Sequence, residues 1–111
     1  MNKIKRIVSI DELNEIFKEE KVIILKHSPA CSISAGAKMK YEDFVQKCEK
    51  DAKFYIVDVL SEREISQEIE KRTGIRHESP QVICLKNGKC IINKSHFNIN
   101  SSALKEALDE L

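Results

Sequence analysis

Hydrophobic residues along the chain form short continuous runs separated by stretches with helical spacing. The runs are rich in β-branched residues and lack polar alternation, as in KVIILKH at 21–27. Runs of this kind predict strands that are buried on both faces of a sheet. The dipeptide Asn87-Gly88 predicts a tight hairpin between the last two of them. We predict strands over residues 4–8, 21–27, 53–60, 81–86 and 89–93.

Apolar residues spaced three and four apart lie between these runs and predict four helices. The longest apolar stripe extends from Ile33 to Cys48. Ser61 followed by Glu64 predicts a capping box at the start of the third helix, and Gly74 predicts where that helix ends. We predict helices over residues 11–20, 32–50, 61–73 and 101–110.

The predicted elements follow one another in the order β-α-β-α-β-α-β-β-α. Strand–helix–strand units require parallel pairing with helices covering the sheet, and the final hairpin adds an antiparallel pair. We therefore expect an α/β, thioredoxin-like fold with a mixed central sheet of four to five strands flanked by helices, forming a single domain over residues 1–111. The order of elements alone does not identify a function.

Composition narrows the classes of function. Nineteen Lys and Arg residues face eighteen Asp and Glu residues, for a net charge of +1, which argues against a nucleic-acid partner. The longest apolar run, at 22–25, is far shorter than the roughly 20 residues of a membrane span, so no membrane partner is expected. No signal-peptide segment follows the basic N-terminus. We expect a cytoplasmic protein whose thiols are kept reduced.

The spacing of the four cysteines separates one from the rest. Cys31, Cys48, Cys84 and Cys90 lack the close pairs that structural zinc sites use, so no metal is expected. Cys48 falls on the apolar helical stripe and Cys84 within a central strand, which favours packing roles. Cys90 lies in the last strand, and we do not expect it to resolve a disulfide.

Cys31 follows a strand-ending loop and begins a predicted helix. The first turn of a helix offers unpaired N–H groups and the positive end of the helix dipole, and both favour a thiolate over a thiol. Three residues on, Ser34 completes a C-x-x-S motif. An oxygen cannot form a disulfide, so a mixed disulfide on Cys31 must pass to an outside thiol. We predict that Cys31 is the nucleophile and that Ser34 donates a hydrogen bond to it.

A second motif, HESPQ at 77–81, precedes a core strand. Proline cannot pair inside a sheet, so Pro80 belongs at the first residue of that strand. Thioredoxin-like folds place a cis-proline at this point, beside the active cysteine. The backbone of Ser79 would then pair with an extended substrate, and His77 would lie near Cys31.

Together the two motifs resemble the YtxJ-type monothiol bacilliredoxins of the bacillithiol system. The match rests on His27-Ser28-x-x-Cys31-x-Ile33-Ser34-Ala35 and on residues 77–81. The resemblance implies that Cys31 removes bacillithiol from mixed disulfides on S-thiolated client proteins. It also implies bacillithiol as the thiol co-substrate, no bound cofactor, and the reducing cytosol of bacteria that use bacillithiol.

Ser32 departs from the family pattern, which is Cys-Pro-Ile-Ser. Proline suits the first helical position because it lacks an N–H that would be unpaired there. Ser32 restores this N–H as a donor close to the thiolate and the substrate. We expect a changed reaction rate with the nucleophilic role of Cys31 intact.

Two other classes of function fit the same residues. One is a non-catalytic thioredoxin-like module that holds a peptide along the edge at Pro80. The other is an iron–sulfur carrier in which Cys31 and an external thiol hold a cluster between two protomers. The chain lacks the Cys-Gly-Phe-Ser run of cluster-carrying monothiol glutaredoxins, which disfavours the carrier.

Overall fold

The computed structural model describes residues 3–111 and contains a five-stranded sheet flanked by helices. The strands are β1 (Ile4–Arg6), β2 (Lys21–His27), β3 (Lys53–Asp58), β4 (Gln81–Lys86) and β5 (Lys89–Ser95). The helices are α1 (Ile10–Ile16), α2 (Ser32–Lys47), α3 (Arg63–Thr73) and α4 (Ser101–Glu110), with a 3₁₀ helix at His96–Asn98 before α4. The predicted order of strands and α-helices is confirmed, and the 3₁₀ helix was not predicted.

The sheet has the strand order β1-β3-β2-β4-β5 and is mixed, as predicted. β3 pairs in parallel with both β1 and β2. β4 runs antiparallel to β2 on one side and to β5 on the other. β2 therefore lies at the centre of the sheet, and the start of β4 lies beside the end of β2.

Side chains of the central strands alternate between two hydrophobic cores. On one face, Ile23 and Leu25 of β2 pack with α2 and α4. On the other face, Val22 and Ile24 pack with α1 and α3. The strand is apolar in both directions because helices cover both faces, which is why its sequence shows no polar alternation. None of the helices within residues 3–111 has the length and apolar character needed to cross a bilayer.

The start of α3 differs from the prediction. Asp58 ends β3, and its carboxylate accepts the backbone N–H groups of Leu60 and Ser61 at 2.9 and 3.0 Å. The chain therefore turns before the helix begins, and Glu62 takes the N-cap position without a side-chain capping bond. The predicted capping box at Ser61 is wrong, because Asp58 already accepts the Ser61 N–H that the Glu64 side chain would accept in such a box.

Other boundaries shift by a few residues, while the hairpin forms as predicted. α1 ends at Ile16 rather than residue 20, and α2 ends at Lys47 rather than residue 50. Asn87 and Gly88 have φ values of 51° and 80°, which two-residue hairpin turns of this hand require. A Cβ on Gly88 would lie 2.8 Å from the carbonyl oxygen of Phe17, so this position also needs glycine for space.

Candidate active site

Cys31 is the N-cap residue of α2, at the point where the chain leaves β2 and enters the helix. Its backbone is extended, with φ −117° and ψ 123°, and its side chain makes no capping hydrogen bond. Its carbonyl accepts the Ala35 N–H at 3.0 Å, and its own N–H donates to Ser28 at 3.2 Å. The thiol is partly exposed. Cys31 thus combines access to solvent with the unpaired N–H groups of a helix start, as predicted.

Ser34 lies fully buried in the first turn of α2 and fastens the loop that carries Cys31. Its hydroxyl oxygen accepts the Ser28 N–H at 2.9 Å and lies 2.7 Å from Nδ1 of His27. Burial, followed by the nearby Lys38, lowers the pKa of His27, so its imidazole is neutral at physiological pH. The hydroxyl of Ser34 therefore ties the loop that carries Cys31 to the end of β2 and the first turn of α2. The predicted hydrogen bond from Ser34 to Cys31 is wrong, because the hydroxyl bonds to Ser28 and His27 instead. Sequence reasoning missed the partnership with His27.

The register between β2 and β4 brings the second motif to the same place. Lys26 pairs with Gln81, so the preceding Ser79–Pro80 bond lies beside the end of β2. This peptide bond is cis, which confirms the expectation for this position. The carbonyl of Pro80 accepts the His96 N–H at 3.0 Å, which joins the segment to the 3₁₀ helix. The loops that carry Cys31 and Pro80 are therefore neighbours at one end of the sheet.

A cleft of about 500 Å³ opens between the Pro80 loop and α3. Ser28, from the Cys31 loop, and Ser79 line it together. Val59 and Leu60 contribute apolar surface where β3 gives way to α3. Its remaining lining residues are Arg63, Ser66, Gln67, Glu70 and His77. The cleft thus begins at the two loops that the sequence singled out and extends along α3.

His77 lies in this cleft and is held by residues of β2 and α3. Its Nδ1 lies 3.1 Å from Nζ of Lys26 and 3.2 Å from Oγ of Ser66. Its backbone N–H donates to the Glu70 carboxylate at 2.6 Å. Burial, followed by the charge of Lys26, lowers the pKa of His77. The structure therefore gives His77 defined partners across the cleft from Ser28.

Lys26 is a functional candidate that sequence reasoning missed. Its side chain is 0% exposed, and burial lowers its pKa from 10.5 to about 8, against an opposing effect of Glu70. A lysine this deeply buried is uncommon in proteins. The sequence carried a signal, because Lys26 shares a strand face with Val22 and Ile24 and interrupts an inward-facing apolar row.

Ser32 lies on the other side of the helix start, away from the His77 cleft. It is exposed and lines a groove of about 280 Å³ between α2 and the 3₁₀ helix. Ile33 and Phe97 contribute apolar surface there, and Phe97 is 75% exposed. The predicted substrate-binding residues Ser32 and His77 thus line two different depressions.

None of the other three cysteines lies in the two loops that meet at this end of the sheet. Cys48 caps the opposite end of α2, about 25 Å away along a helix that rises 1.5 Å per residue. Cys84 is fully buried, and burial raises its pKa to about 12. Cys90 pairs with Leu85 near the hairpin, and burial also raises its pKa. All four thiols are free. No second sulfur is therefore placed to close a disulfide with Cys31.

Comparison with known proteins gives the fold and the family. A family profile described as monothiol bacilliredoxin BrxC matches residues 2–104. A solved thioredoxin-fold protein proposed to be an oxidoreductase shares 36% identity over 95% of this chain and 93% of its own, with a TM-score of 0.86. Thioredoxin from Malassezia sympodialis superposes with a TM-score of 0.80, at 23% identity over 99% of this chain and 91% of its own.

A partly exposed cysteine at a helix start, beside a cis-proline on a thioredoxin fold, defines a thiol–disulfide oxidoreductase. The absence of a nearby second sulfur among the described residues makes it a one-cysteine enzyme of that class. Within the class, the chain belongs to the monothiol bacilliredoxin family.

Proposed function

We propose that this protein removes bacillithiol from mixed disulfides on cytoplasmic client proteins, with Cys31 as the nucleophile. The observation that carries the proposal is the isolation of one accessible thiol at the start of α2, since the other three are buried or distant. An enzyme with a single reactive sulfur needs an external thiol to complete its cycle. Mixed disulfides with a small thiol supply both the substrate and the means of turnover.

The proposed cycle has two exchange steps that balance in atoms and electrons. The Cys31 thiolate attacks the bacillithiol sulfur of the mixed disulfide, a new disulfide joins Cys31 to bacillithiol, and the client leaves as a thiolate. A second bacillithiol thiolate then attacks the bacillithiol sulfur held by Cys31. This step forms oxidised bacillithiol and restores the Cys31 thiolate.

The residues around Cys31 have distinct proposed roles in this cycle. The backbone of Ser79, before the cis bond to Pro80, pairs with the extended substrate. Ser32 presents its N–H in the first turn of α2 beside the sulfur. Ser34 has a supporting role, because its buried hydroxyl accepts the Ser28 N–H and so fixes the loop that carries the nucleophile.

Intact-mass measurement tests the proposal directly. The wild-type protein is incubated with oxidised bacillithiol and, separately, with oxidised glutathione. We expect one adduct per chain, which the variant Cys31→Ser loses and the matched variant Cys90→Ser keeps. Cys90 is a suitable control because it is also partly exposed.

A client protein carrying bacillithiol then tests turnover. We expect the wild-type protein to release the client thiol and to accumulate a bacillithiol adduct until free bacillithiol is added. Adducts that persist in Cys31→Ser, or a client that stays modified, would contradict the proposal. A brown protein with a visible absorbance band after oxygen-free purification would point instead to the iron–sulfur carrier.

A further inference from the structure

The cleft between the Pro80 loop and α3 is rich in hydrogen-bond donors. Arg63, Gln67 and His77 line it and carry N–H groups. Glu70 is the one acidic side chain among its described lining residues, and its carboxylate already accepts the His77 N–H at 2.6 Å. The cleft therefore offers more donors than acceptors and suits a ligand that carries acceptors.

The contacts of His77 determine which of its ring nitrogens carries the proton. An ammonium group can only donate hydrogen bonds, so Nζ of Lys26 donates to Nδ1 of His77 at 3.1 Å. A neutral imidazole with an accepting Nδ1 carries its proton on Nε2. Ser66, 3.2 Å from the same Nδ1, supports this tautomer as a second donor. Lys26 and Ser66 together make His77 an Nε2–H donor in the cleft.

Two cations and two carboxylates surround the cleft, and the group that is fully shielded from water is a cation. Lys26 lies buried behind His77, and Arg63 lies at the rim of the cleft on α3. Two carboxylates oppose these cations: Glu70 lines the cleft, and Glu78 lies next to His77 in the Pro80 loop. Because Lys26 is shielded from water, its field at the cleft is screened less than that of a surface lysine.

We propose that this cleft binds the carboxylate-bearing part of the small thiol, with His77 donating through Nε2–H and Lys26 as the positioning residue behind it. The cleft starts at Ser28, whose carbonyl accepts the Cys31 N–H at 3.2 Å, and at Ser79, and it extends along α3, so a ligand in disulfide linkage with Cys31 would lie close to its entrance. The inference rests on the proposed function, because it assigns the position of the small thiol in that reaction.

A matched pair of disulfides tests the inference. The probes are 3,3′-dithiodipropionate and its neutral diamide, which differ in charge and hardly in size. For each probe, the rate of Cys31 adduct formation is measured over a range of concentrations, which separates half-saturation from maximal rate. The ratio of the two second-order rate constants is the selectivity for carboxylate.

We expect His77→Ala to lower this selectivity by about tenfold, the effect of losing one charge-assisted hydrogen bond, and Lys26→Met to lower it in the same direction by removing the buried positive charge. The loss should appear in the half-saturation concentration for the diacid rather than in its maximal rate. A merely structural role of Lys26 would change the two probes alike. Arg63→Gln, an exposed substitution that leaves the core untouched, should lower the selectivity in the same direction.

Lys40→Gln is the matched control, because it removes one positive charge from the groove on the other side of the helix start. It should leave the ratio unchanged. An equal loss in Lys40→Gln, or an unchanged ratio in the three cleft variants, would overturn the inference while leaving the proposed function intact. A wild-type protein that forms no adduct with either probe or with oxidised bacillithiol would overturn both.

Discussion

Replacing Lys26 with methionine should stabilise the protein, although it removes the hydrogen bond that the buried amine makes to His77. Lys26 is 0% exposed, and burial lowers its pKa from 10.5 to about 8. That difference corresponds to a cost of about 3 kcal/mol for holding the charged amine in the fold. Methionine is unbranched and similar in length, so it fills the same space without the charge. We expect Lys26→Met to raise the free energy of unfolding by about 1–3 kcal/mol at pH 7.

The pH dependence distinguishes this cause from improved packing. The full cost applies below pH 8, where Lys26 is charged in both states. Between the folded pKa of about 8 and the unfolded value of 10.5, the unfolded chain binds more protons, so wild-type stability rises with pH. From pH 7 to pH 9 the rise amounts to about 1 kcal/mol. Above pH 9 the raised pKa of Cys84 acts in the opposite direction, so the measurement ends there.

Urea unfolding at pH 7, 8 and 9 measures the effect. The difference between Lys26→Met and wild type should shrink by about 1 kcal/mol across this range, and Cys84 cancels because both proteins contain it. Lys86→Met is the control, since it removes the same charge from an exposed position at the end of β4. A difference that stays constant with pH, or that Lys86→Met reproduces, would refute the assignment of a buried charged amine.

Four further substitutions test the packing and the buried hydrogen bonds by urea unfolding. Gly88→Ala should cost at least about 1 kcal/mol of stability, because φ is 80° and the new Cβ would meet the Phe17 carbonyl at 2.8 Å. Gly36 lies within α2 with open space around it, so Gly36→Ala should stabilise the protein by up to about 1 kcal/mol. Tyr41→Phe should cost about 1 kcal/mol, because its buried hydroxyl bonds to carbonyls of two neighbouring strands. Ser34→Ala should cost about 1–3 kcal/mol by leaving a buried N–H unpaired, and hydrogen exchange at Ser28 should quicken. A neutral result in any of these would contradict the contact on which it rests.

The fold was predictable wherever the signal was local. β2 and α4 have the predicted bounds because the hydrophobic pattern of a few consecutive residues specifies a buried strand or an amphipathic helix. The hairpin followed from two residues whose backbone angles few other pairs adopt. The predicted start of α3 was wrong because the side chain that determines where the helix begins, Asp58, belongs to the preceding strand.

The candidate site was predictable at its backbone positions and not in its side-chain partners. Cys31 at a helix start and Pro80 at a strand start follow from the order of elements. The contact between His77 and Lys26 joins residues 51 apart in the chain and depends on how α3 packs on the sheet. A polar residue in an apolar strand signalled that Lys26 needs a partner, but only the placement of the loop between α3 and β4 identifies His77 as that partner.

The end of β2 explains how one strand serves both sides of the reactive thiol. Its last two residues point to opposite faces, so His27 reaches Ser34 under α2 while Lys26 reaches His77 beside α3. The first contact holds the loop that carries Cys31, and the second orients His77 in the cleft. Ser34 and Ser66 lie in different networks and share no hydrogen-bond partner, so the free-energy effects of substitutions at these two residues should add. We therefore expect substitutions in the proposed small-thiol cleft to leave the loop that carries Cys31 intact.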